Sequence, residues 1–324
     1  MKKAAFYTLG CKVNQYETEA MAELFADSGY EIKEFTEVAD VYVINTCSVT
    51  NMGDRKSRQI IRRAKKLNPN AVIAVTGCYA QTAPDEVLAI EGVNLVLGTK
   101  DRKNIVTLVE ELNTESNINH VSDIMSNHEF EELQIKQYSN RTRAFIKIQE
   151  GCNQFCSYCI IPYARGPVRS RAKDDVVREI KELAHNGFKE IILVGIHVAS
   201  YGVDLGDTTL ESLIMDVDKI DGVERIRLSS IEPMTLNQEF IDSIKDSKKL
   251  CHHFHISLQS GCDETLKRMN RKYTTAQFKG IVDGLREAFD DVAITTDIMV
   301  GFPDESDEEF NKTVEFVRNI KFAN

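Results

Sequence analysis

Short apolar runs alternate with helical patterns along most of the chain. In the first 112 residues, the runs that predict strands are Ala4–Leu9, Tyr30–Phe35, Val41–Asn45, Ala71–Thr76 and Asn94–Leu97. Apolar residues at helical spacing predict helices over Glu17–Ser28, Asp54–Leu67 and Ile105–Leu112. Near-continuous Val and Ile runs between helices are typical of a parallel sheet that is covered on both faces. The pattern therefore predicts an α/β domain over residues 1–112.

A polar, aperiodic stretch at residues 113–140 predicts a linker or a peripheral excursion. The alternation then resumes, with strands predicted at Ala144–Gln149, Glu190–Val194, Arg225–Ser229, His253–Leu258 and Ala293–Val300. The predicted helices between and after them are Asp174–Asn186, Thr209–Ile220, Asn237–Ser243, Thr275–Phe289 and Ser306–Ile320. Residues 141–324 are therefore expected to form a second α/β domain.

Composition restricts where the protein works and what it binds. The 324 residues are 42% hydrophobic, enough for about two domains with sizeable cores. Apolar runs are too short for a membrane span or a signal peptide, so we expect a cytoplasmic protein with no membrane partner. The net charge of −10 gives no general attraction to nucleic acid, so we expect no DNA partner and only local contacts with RNA. Eight cysteines without a secretory signal favour metal binding or catalysis over disulfides.

Three cysteines follow the first predicted strand of the second domain at the spacing CxxxCxxC. They are Cys152, Cys156 and Cys159, and Tyr158 precedes the last of them. Thiolates are natural ligands of the irons in a 4Fe-4S cluster. Three cysteines leave one of the four irons without a protein ligand, which favours a reactive cluster over an electron store. A zinc site or three unrelated thiols are the alternatives, but zinc sites more often pair two CxxC units or add histidines.

Three further cysteines share one position relative to the predicted strands of the first domain. Cys11, Cys47 and Cys78 each lie just beyond the C-terminal end of a strand, and such ends converge on one crevice in open α/β sheets. The adjacent Gly10 and Gly77 would let a bulky cluster approach the backbone. A single cysteine of this kind is more often a small buried hydrophobe. The repeated placement nevertheless predicts a second metal centre.

The CxxxCxxC segment resembles that of radical S-adenosylmethionine (SAM) enzymes, and the two cysteine trios together resemble the radical-SAM methylthiotransferases. The similar segments cover nearly the whole chain: Leu9–Asn14, Asn45–Val49, Thr76–Gln81, Cys159–Gly166, Arg169–Arg171, Ser257–Gly261 and Thr296–Pro303. The resemblance implies an N-terminal flavodoxin-like parallel-sheet domain followed by an incomplete (β/α)6 radical-SAM barrel. It also implies two 4Fe-4S clusters, one on each cysteine trio, and SAM as both radical source and methyl donor.

That family inserts sulfur and then a methyl group at an unactivated C–H position. The resemblance implies a tRNA substrate, a cellular one-electron reductant and a sulfur donor as partners. Gly195–Gly202 and Arg165–Arg171 are similar to the branch that modifies N6-threonylcarbamoyladenosine beside the anticodon of tRNA. Sister branches act on isopentenyladenosine in tRNA or on an aspartate of a ribosomal protein. A non-catalytic iron–sulfur module is a further alternative.

Residues at or beyond the ends of the barrel strands are candidates for binding SAM. Gly195, Gln259 and Asp297 are candidates by this position. The similarity to radical-SAM barrels indicates Ser229 and Glu232 for the polar groups of SAM, and it would place the backbone of Tyr158 near the adenine. Ordinary capping and turn chemistry is the alternative for these residues. His197 is expected to cap a turn or to contact RNA. The histidines His252, His253 and His255 point alternately to opposite faces of a strand, which argues against a metal site there.

Basic residues cluster locally although the chain as a whole is acidic. Seven lie between residues 55 and 66 with no acidic residue among them: Arg55, Lys56, Arg58, Arg62, Arg63, Lys65 and Lys66. Such a helix face can follow a phosphate backbone, although a charge run is more often only solvated. Arg165, Arg169 and Arg171 follow the CxxxCxxC segment and are predicted to hold the RNA substrate near it.

The family continues beyond a fifth barrel strand into a sixth strand and a small, basic, β-rich RNA-binding (TRAM) domain. This sequence ends at Asn324, where the sixth strand would begin. We therefore expect a barrel truncated before its last strand, no C-terminal TRAM domain, and impaired activity and tRNA affinity.

Overall fold

A computed structural model of the chain describes residues 1–112, 115–135 and 142–324. These residues form two compact units. The first unit comprises Met1–Tyr138 and Ile160–Pro167, and the second comprises Ser139–Cys159 and Val168–Asn324. The segment that directly follows Cys159 therefore belongs to the first unit.

The first unit is built on a parallel sheet. Its strands are β1 Lys3–Thr8, β2 Glu31–Lys33, β3 Val41–Thr46, β4 Val72–Gly77, β5 Leu95–Val96 and β6 Ile118–Asn119. Its helices are α1 Lys12–Asp27, α2 Asn51–Leu67, α3 Cys78–Thr82, α4 Pro84–Leu88, α5 Ile105–Glu110 and α6 Ile161–Arg165. The strand order is β2-β1-β3-β4-β5-β6, and every pair in it is parallel.

The side chains of β3 show why this sheet is covered on both faces. Val41 and Val43 belong to one buried apolar cluster, whereas Tyr42 and Ile44 belong to another. Because successive strand residues point to opposite faces, a strand that is apolar at every position must be covered on both sides. This arrangement confirms the predicted flavodoxin-like sheet.

The predicted domain boundary at residue 112 and the predicted linker over residues 113–140 stay predictions. Residues 113, 114 and 136–141 lie outside the described part of the chain. Within residues 115–135, β6 pairs with β5, and Ile124, Leu133 and Ile135 are buried. The Tyr16 hydroxyl on α1 donates a hydrogen bond to the Leu133 carbonyl. A few widely spaced apolar residues therefore attach this polar stretch to the first unit.

The second unit consists mainly of parallel strands that alternate with helices. Its strands are β7 Arg143–Glu150, β8 Arg169–Ser170, β9 Glu190–Gly195, β10 Arg225–Leu228, β11 His253–His255 and β12 Ala293–Thr295. Its helices are α7 Lys173–His185, α8 Leu210–Asp218, α9 Gln238–Ile244, α10 Asp263–Arg268, α11 Thr275–Ala288 and α12 Asp307–Ile320. Strands β10, β9 and β7 pair in parallel, as do β11 and β12, and single bridges such as Ile231–Ile256 join the two sets. The result is the predicted partial (β/α) barrel.

The short strand β8 is an element that the sequence pattern did not predict. It pairs antiparallel with the end of β7, where Arg169 lies opposite Glu150. Ser170 holds it in place, because its backbone N–H and its hydroxyl both donate to the Asp204 carboxylate, at 2.8 and 2.6 Å. Two residues are too few to show an alternation in the sequence.

Three helices of the second unit begin with the same hydrogen-bonded motif. Thr209, Thr274 and Ser306 each accept a hydrogen bond from the backbone N–H three residues later, and the later side chain bonds back. This capping box fixes where α8, α11 and α12 start, close to the predicted positions. Among all helices of the described ranges, none combines the length and the apolar composition needed to cross a membrane.

Candidate metal centres

The first three cysteines follow three neighbouring strands of the first unit. Cys11 lies beyond β1, Cys47 directly follows β3, and Cys78 directly follows β4. Strand β3 pairs with both β1 and β4, and the register aligns Thr46 with Gly77. The C-terminal ends of these strands therefore lie side by side, which places the three cysteines at one edge of the sheet. Their role as cluster ligands stays a prediction.

Two glycines keep the cysteine loops close together. A side-chain carbon at Gly10, where φ is +103°, would lie 2.9 Å from the Cys47 Cβ and 3.1 Å from its Sγ. A side-chain carbon at Gly77, where φ is +98°, would lie 2.4 Å from the Thr46 carbonyl oxygen. The positive φ and the lack of space both require glycine at these positions. Any larger residue would push the loops apart.

The three cysteines of the first trio differ in exposure. Cys11 is exposed, Cys47 is half-buried and Cys78 is buried. Burial raises the pKa of Cys47, and the nearby Cys78 adds to this shift. Burial also raises the pKa of Cys78, although the Arg165 cation partly offsets it. Iron binding replaces the thiol protons with positive charge, so this set of donors fits a thiolate-bound cluster.

The CxxxCxxC cysteines lie in a loop that follows β7. The Ser157 hydroxyl donates to the Arg268 carbonyl at 2.8 Å, and the Asn270 amide donates to the Phe155 carbonyl at 2.9 Å. These bonds fix the loop against the turn that follows α10. Burial raises the pKa of Cys152 to about 11, and the other two cysteines of the loop add to the shift. The three thiols therefore lie in one neighbourhood, and their role as ligands of one cluster stays a prediction.

Across the described ranges, no three or more His, Cys, Asp or Glu side chains are grouped so that they could hold a metal ion. His252 and His255 instead contact the Asp290 carbonyl and the Thr295 hydroxyl, both at 3.1 Å. The features that fit two iron–sulfur clusters are the thiol donors, their placement after strands, and the glycines beside the first trio.

Arg271 is a residue of the second centre that sequence reasoning missed. Its Nη1 lies 3.4 Å from the Cys156 Sγ, and its Nη2 donates to Glu232 at 2.6 Å and to the Ser257 carbonyl at 3.2 Å. The guanidinium also lies over the Tyr273 ring, 5.0 Å from the ring centre. Burial raises the pKa of Glu232, while Arg271 opposes that shift. Glu232 thus holds the Arg271 guanidinium beside Cys156, a predicted ligand of the SAM-cleaving cluster.

Ser229 and Glu232 lie just beyond β10, where SAM binding is predicted. Their side chains are 9% and 8% exposed. The buried Ser229 hydroxyl has no hydrogen-bond partner among the described residues. Because an unpaired buried hydroxyl costs free energy, a ligand that bonds to it is favoured. Ser229 therefore fits the predicted role of binding a polar group of SAM.

The other residues predicted to bind SAM also lie near strand ends. Gly195 is the last residue of β9. Gln259, with φ at +66°, donates its backbone N–H to the Asp297 carbonyl at 3.1 Å, and the Asp297 side chain is 82% exposed. The Tyr158 ring packs edge-on against Phe302, 6.3 Å between ring centres. The roles of these four residues in binding SAM stay predictions.

His197 follows β9 and has an unusual environment for a histidine. Its Nδ1 contacts the Ser200 hydroxyl, and its Nε2 is buried without a hydrogen-bond partner among the described residues. Its backbone N–H donates to the Gln149 side chain at 2.7 Å. Burial lowers the pKa of His197 to about 4, and the Arg271 cation adds to this shift. The ring is therefore neutral at physiological pH.

We expect the His197→Asn variant to lose part of the pH dependence of folding stability. A histidine whose pKa is about 4 when folded and about 6.5 when unfolded binds its proton more readily in the unfolded chain. Its contribution is therefore complete above about pH 6.5 and is lost as the pH falls toward about 4. The partial burial of His197 makes about 3 kcal/mol an upper limit. Urea unfolding at about pH 7.5 and about pH 5 measures the difference.

The matched control for this prediction is His185→Asn, because His185 is exposed at the end of α7. This control should keep the pH dependence of the parent protein. Equal pH dependence in His197→Asn and in the parent would contradict the prediction.

The structure argues against the predicted RNA contacts of Arg165, Arg169 and Arg171. Their exposures are 0%, 1% and 0%. Their carboxylate partners, in the same order, are Glu17, Glu150 and Glu179. A guanidinium that is buried against a carboxylate offers no surface to a phosphate. The basic run after Cys159 therefore serves the interior of the protein.

Two family models match the chain. The model of the radical SAM superfamily matches residues 146–317, and that of the uncharacterized protein family UPF0004 matches residues 3–98. Each match contains one of the two cysteine trios.

Curated relatives match over nearly the whole chain. It is 49% identical to the threonylcarbamoyladenosine tRNA methylthiotransferase MtaB of Bacillus subtilis (strain 168), covering 100% of this chain and 72% of the relative. It is 42% identical to the protein of the same name from Aquifex aeolicus (strain VF5), covering 99% and 78%. It is 39% identical to the tRNA-2-methylthio-N(6)-dimethylallyladenosine synthase of Thermoanaerobacter pseudethanolicus, covering 97% and 68%.

Solved structures show the same fold at low sequence identity. The radical S-adenosylmethionine methyltransferase TsrM from Kitasatospora setae superposes with a TM-score of 0.71 at 15% identity, covering 99% of this chain and 72% of that one. The cobalamin-dependent S-adenosylmethionine radical enzyme OxsB superposes with a TM-score of 0.63 at 11% identity, covering 98% and 52%. At these identities the likeness concerns the fold alone.

Proposed function

We propose, because this chain belongs to the radical-SAM methylthiotransferase family, that it adds a methylthio group to N6-threonylcarbamoyladenosine next to the anticodon of tRNA. Family membership makes the protein an enzyme that uses SAM and two 4Fe-4S clusters. The observation that carries the proposal is the presence of one cysteine trio in each matched part of the chain. Cys11, Cys47 and Cys78 lie in the first part, and the CxxxCxxC cysteines lie in the second.

The choice of substrate follows the ranking of the relatives. Proteins named for threonylcarbamoyladenosine are 49% and 42% identical to this chain, whereas one named for dimethylallyladenosine is 39% identical. This ranking supports the threonylcarbamoyl base as the substrate. Dimethylallyladenosine is the second candidate, because the 39% identity extends over 97% of the chain.

The reaction requires residues that hold reactive groups and keep water away. Bound SAM and the clusters supply a carbon radical, sulfur and a methyl group. The six cysteines would provide thiolate ligands, and Ser229 would bond a polar group of SAM. Arg271, held by Glu232 at 2.6 Å, keeps its charge next to Cys156 and offsets the negative charge that builds up there.

Two further partners follow from the atoms and electrons that the reaction consumes. Reductive cleavage of SAM takes up an electron, so the protein must meet a cellular one-electron reductant. Each methylthio group contains a sulfur atom that must be replaced, so the protein must also meet a sulfur donor. Both are proposed as transient partners.

The test of this function measures modified nucleosides in tRNA. The protein and its C78A and C152A variants would be expressed in a bacterial strain that lacks its own methylthiotransferases. We expect 2-methylthio-N6-threonylcarbamoyladenosine with the parent protein and none with either variant. The 2-methylthio derivative of dimethylallyladenosine would establish the second candidate instead. A modified ribosomal-protein aspartate without any tRNA product would overturn both.

A surface on α2 supports tRNA as the substrate. We define the α2 basic face as the exposed residues Arg55, Lys56, Arg62, Arg63 and Lys66. Arg58, the third of the seven residues in this basic run, is instead engaged, because its Nη1 donates to the Tyr79 hydroxyl at 2.9 Å and contacts Glu86 at 3.3 Å. Five exposed cations on one helix of an acidic protein form a local site that fits a phosphate backbone.

We expect the triple variant R55E/R62E/R63E to bind tRNA at least about tenfold more weakly than the parent protein. Each lost phosphate contact reduces the salt dependence of binding, so the slope of log affinity against log salt should fall by about 1 per contact. Binding of labelled tRNA across a series of salt concentrations measures both quantities.

The matched control reverses three exposed lysines on the second unit, K181E/K219E/K248E. It changes the net charge by the same amount as the triple arginine variant. Equal losses of affinity in the two variants would show a general charge effect and would exclude the α2 basic face as the tRNA contact.

A further inference from the structure

Arg165 lies in the interior of the first unit and contacts one of its cysteines. Its side chain is 0% exposed, and its Nε donates to the Cys78 Sγ at 3.3 Å. The two terminal nitrogens donate to the two carboxylate oxygens of Glu17, at 2.6 and 3.1 Å. One of them also donates to the Asn14 side-chain oxygen at 2.6 Å. Every nitrogen of this guanidinium therefore donates a hydrogen bond to a buried side chain.

Asn14 extends the same network to the loops of the other two cysteines. Its amide nitrogen donates to the Leu9 carbonyl at 2.8 Å and to the Thr46 carbonyl at 2.9 Å. Thr46 directly precedes Cys47, and Leu9 lies two residues before Cys11. The Cys11 thiol itself contacts the Asn14 oxygen at 3.6 Å. Arg165 and Asn14 together thus bond to all three cysteine loops.

The charge of Arg165 is balanced inside the unit. Glu17 is 0% exposed and also pairs with Arg102 at 2.5 Å, and Arg102 pairs in turn with Glu131 at 2.8 Å. Moving Arg165 away would leave the buried Glu17 carboxylate with one arginine fewer to balance its negative charge, which costs folding free energy. The network therefore holds the Nε of Arg165 toward Cys78.

We propose that Arg165 is a positioning residue of the cluster on Cys11, Cys47 and Cys78, where its hydrogen bond to the Cys78 thiolate holds this ligand and raises the reduction potential of the cluster. The inference rests on the proposed function, which assigns a cluster to these cysteines. A cationic N–H donor stabilises the more negative, reduced state of a thiolate-bound cluster more than the oxidised state. The donor comes from the segment that directly follows the CxxxCxxC motif, since Arg165 lies on α6 and that segment belongs to the first unit.

The test observes this cluster by itself in the full chain. Cys152, Cys156 and Cys159 are replaced by alanine, so that only the first trio takes up iron after anaerobic reconstitution. In this background, Arg165 is compared with two variants. R165K keeps the positive charge but loses the planar guanidinium with its paired N–H donors, and R165M loses both the charge and the donors. Iron and sulfide per chain, retention of iron against a chelator, and the midpoint potential followed by electron paramagnetic resonance are measured.

We expect lower midpoint potentials in both variants and iron retention that is about ten- to a hundred-fold weaker. The matched control is R102K, because Arg102 is equally buried and pairs with the same Glu17. R102K should keep the potential of the parent. An unchanged potential in R165K and R165M, or an equal shift in R102K, would overturn the proposal. If the parent background takes up no iron, the assignment of a cluster to the first trio is itself wrong, and the role of Arg165 falls with it.

Discussion

Replacing Cys78 with alanine is expected to abolish methylthiolation of tRNA while reductive cleavage of SAM continues. Cys78 is 3% exposed and belongs to the trio in the first unit, whereas the cysteines assigned to SAM cleavage all lie in the second unit. Loss of one thiolate from a trio leaves too few ligands for a stable cluster. Sulfur transfer should therefore stop, although the radical-forming centre keeps all of its ligands.

The separation of the two activities is the decisive part of this prediction. Anaerobic assays would follow 5′-deoxyadenosine for SAM cleavage and the methylthio nucleoside for the complete reaction. C152A should lose both products, in contrast to C78A. C262A is the matched control, because Cys262 is also buried, at 1% exposure, and its thiol contacts Glu264 at 2.9 Å outside either trio. Formation of methylthio nucleoside by C78A would show that the first trio is not needed.

Glu17→Ala is expected to destabilise the first unit by about 3–5 kcal/mol. Glu17 is fully buried and pairs with two fully buried arginines, Arg102 at 2.5 Å and Arg165 at 2.6 Å. Removing its carboxylate leaves the two buried guanidinium groups with less negative charge to balance them. This loss costs more folding free energy than the loss of an ordinary contact. Urea unfolding followed by far-ultraviolet circular dichroism measures the loss, with a separate transition for each unit if the units unfold independently.

Glu86→Ala is the control for the effect of burial on such a pair. Glu86 also pairs with an arginine, Arg58 at 3.3 Å, but its side chain is 59% exposed. Exposed pairs contribute about 0–1 kcal/mol, so this variant should unfold almost as the parent does. A loss in Glu17→Ala no larger than that in Glu86→Ala would show that the buried network does not stabilise the unit.

The fold and the placement of the cysteine trios after strands could be predicted from the sequence because local patterns specify them. Strand β3 is apolar at successive positions, and the hydroxyl residues that cap α8, α11 and α12 mark where these helices begin. Cysteine is the ligand that iron–sulfur clusters require, so the spacing of a trio and its placement after strands are both visible in a single sequence.

The roles of the arginines could not be predicted, because their partners are distant in the sequence. Arg165 stands in a basic run that also contains Arg169 and Arg171, a composition typical of a surface that binds phosphate. Its partner Glu17 lies 148 residues away, and Arg271 lies 115 residues from Cys156. The sequence alone does not show whether an arginine is buried against a carboxylate or exposed to solvent. Only the folded chain distinguishes the two cases.

The graded exposure of the first trio determines which chemistry reaches it from water. A dissolved molecule meets the exposed Cys11 first, then the half-buried Cys47, and reaches the buried Cys78 last. Oxygen that degrades a cluster on this trio and a donor that resupplies its sulfur would both meet Cys11 most readily. A partner that shields Cys11 from air would therefore also slow the renewal of sulfur.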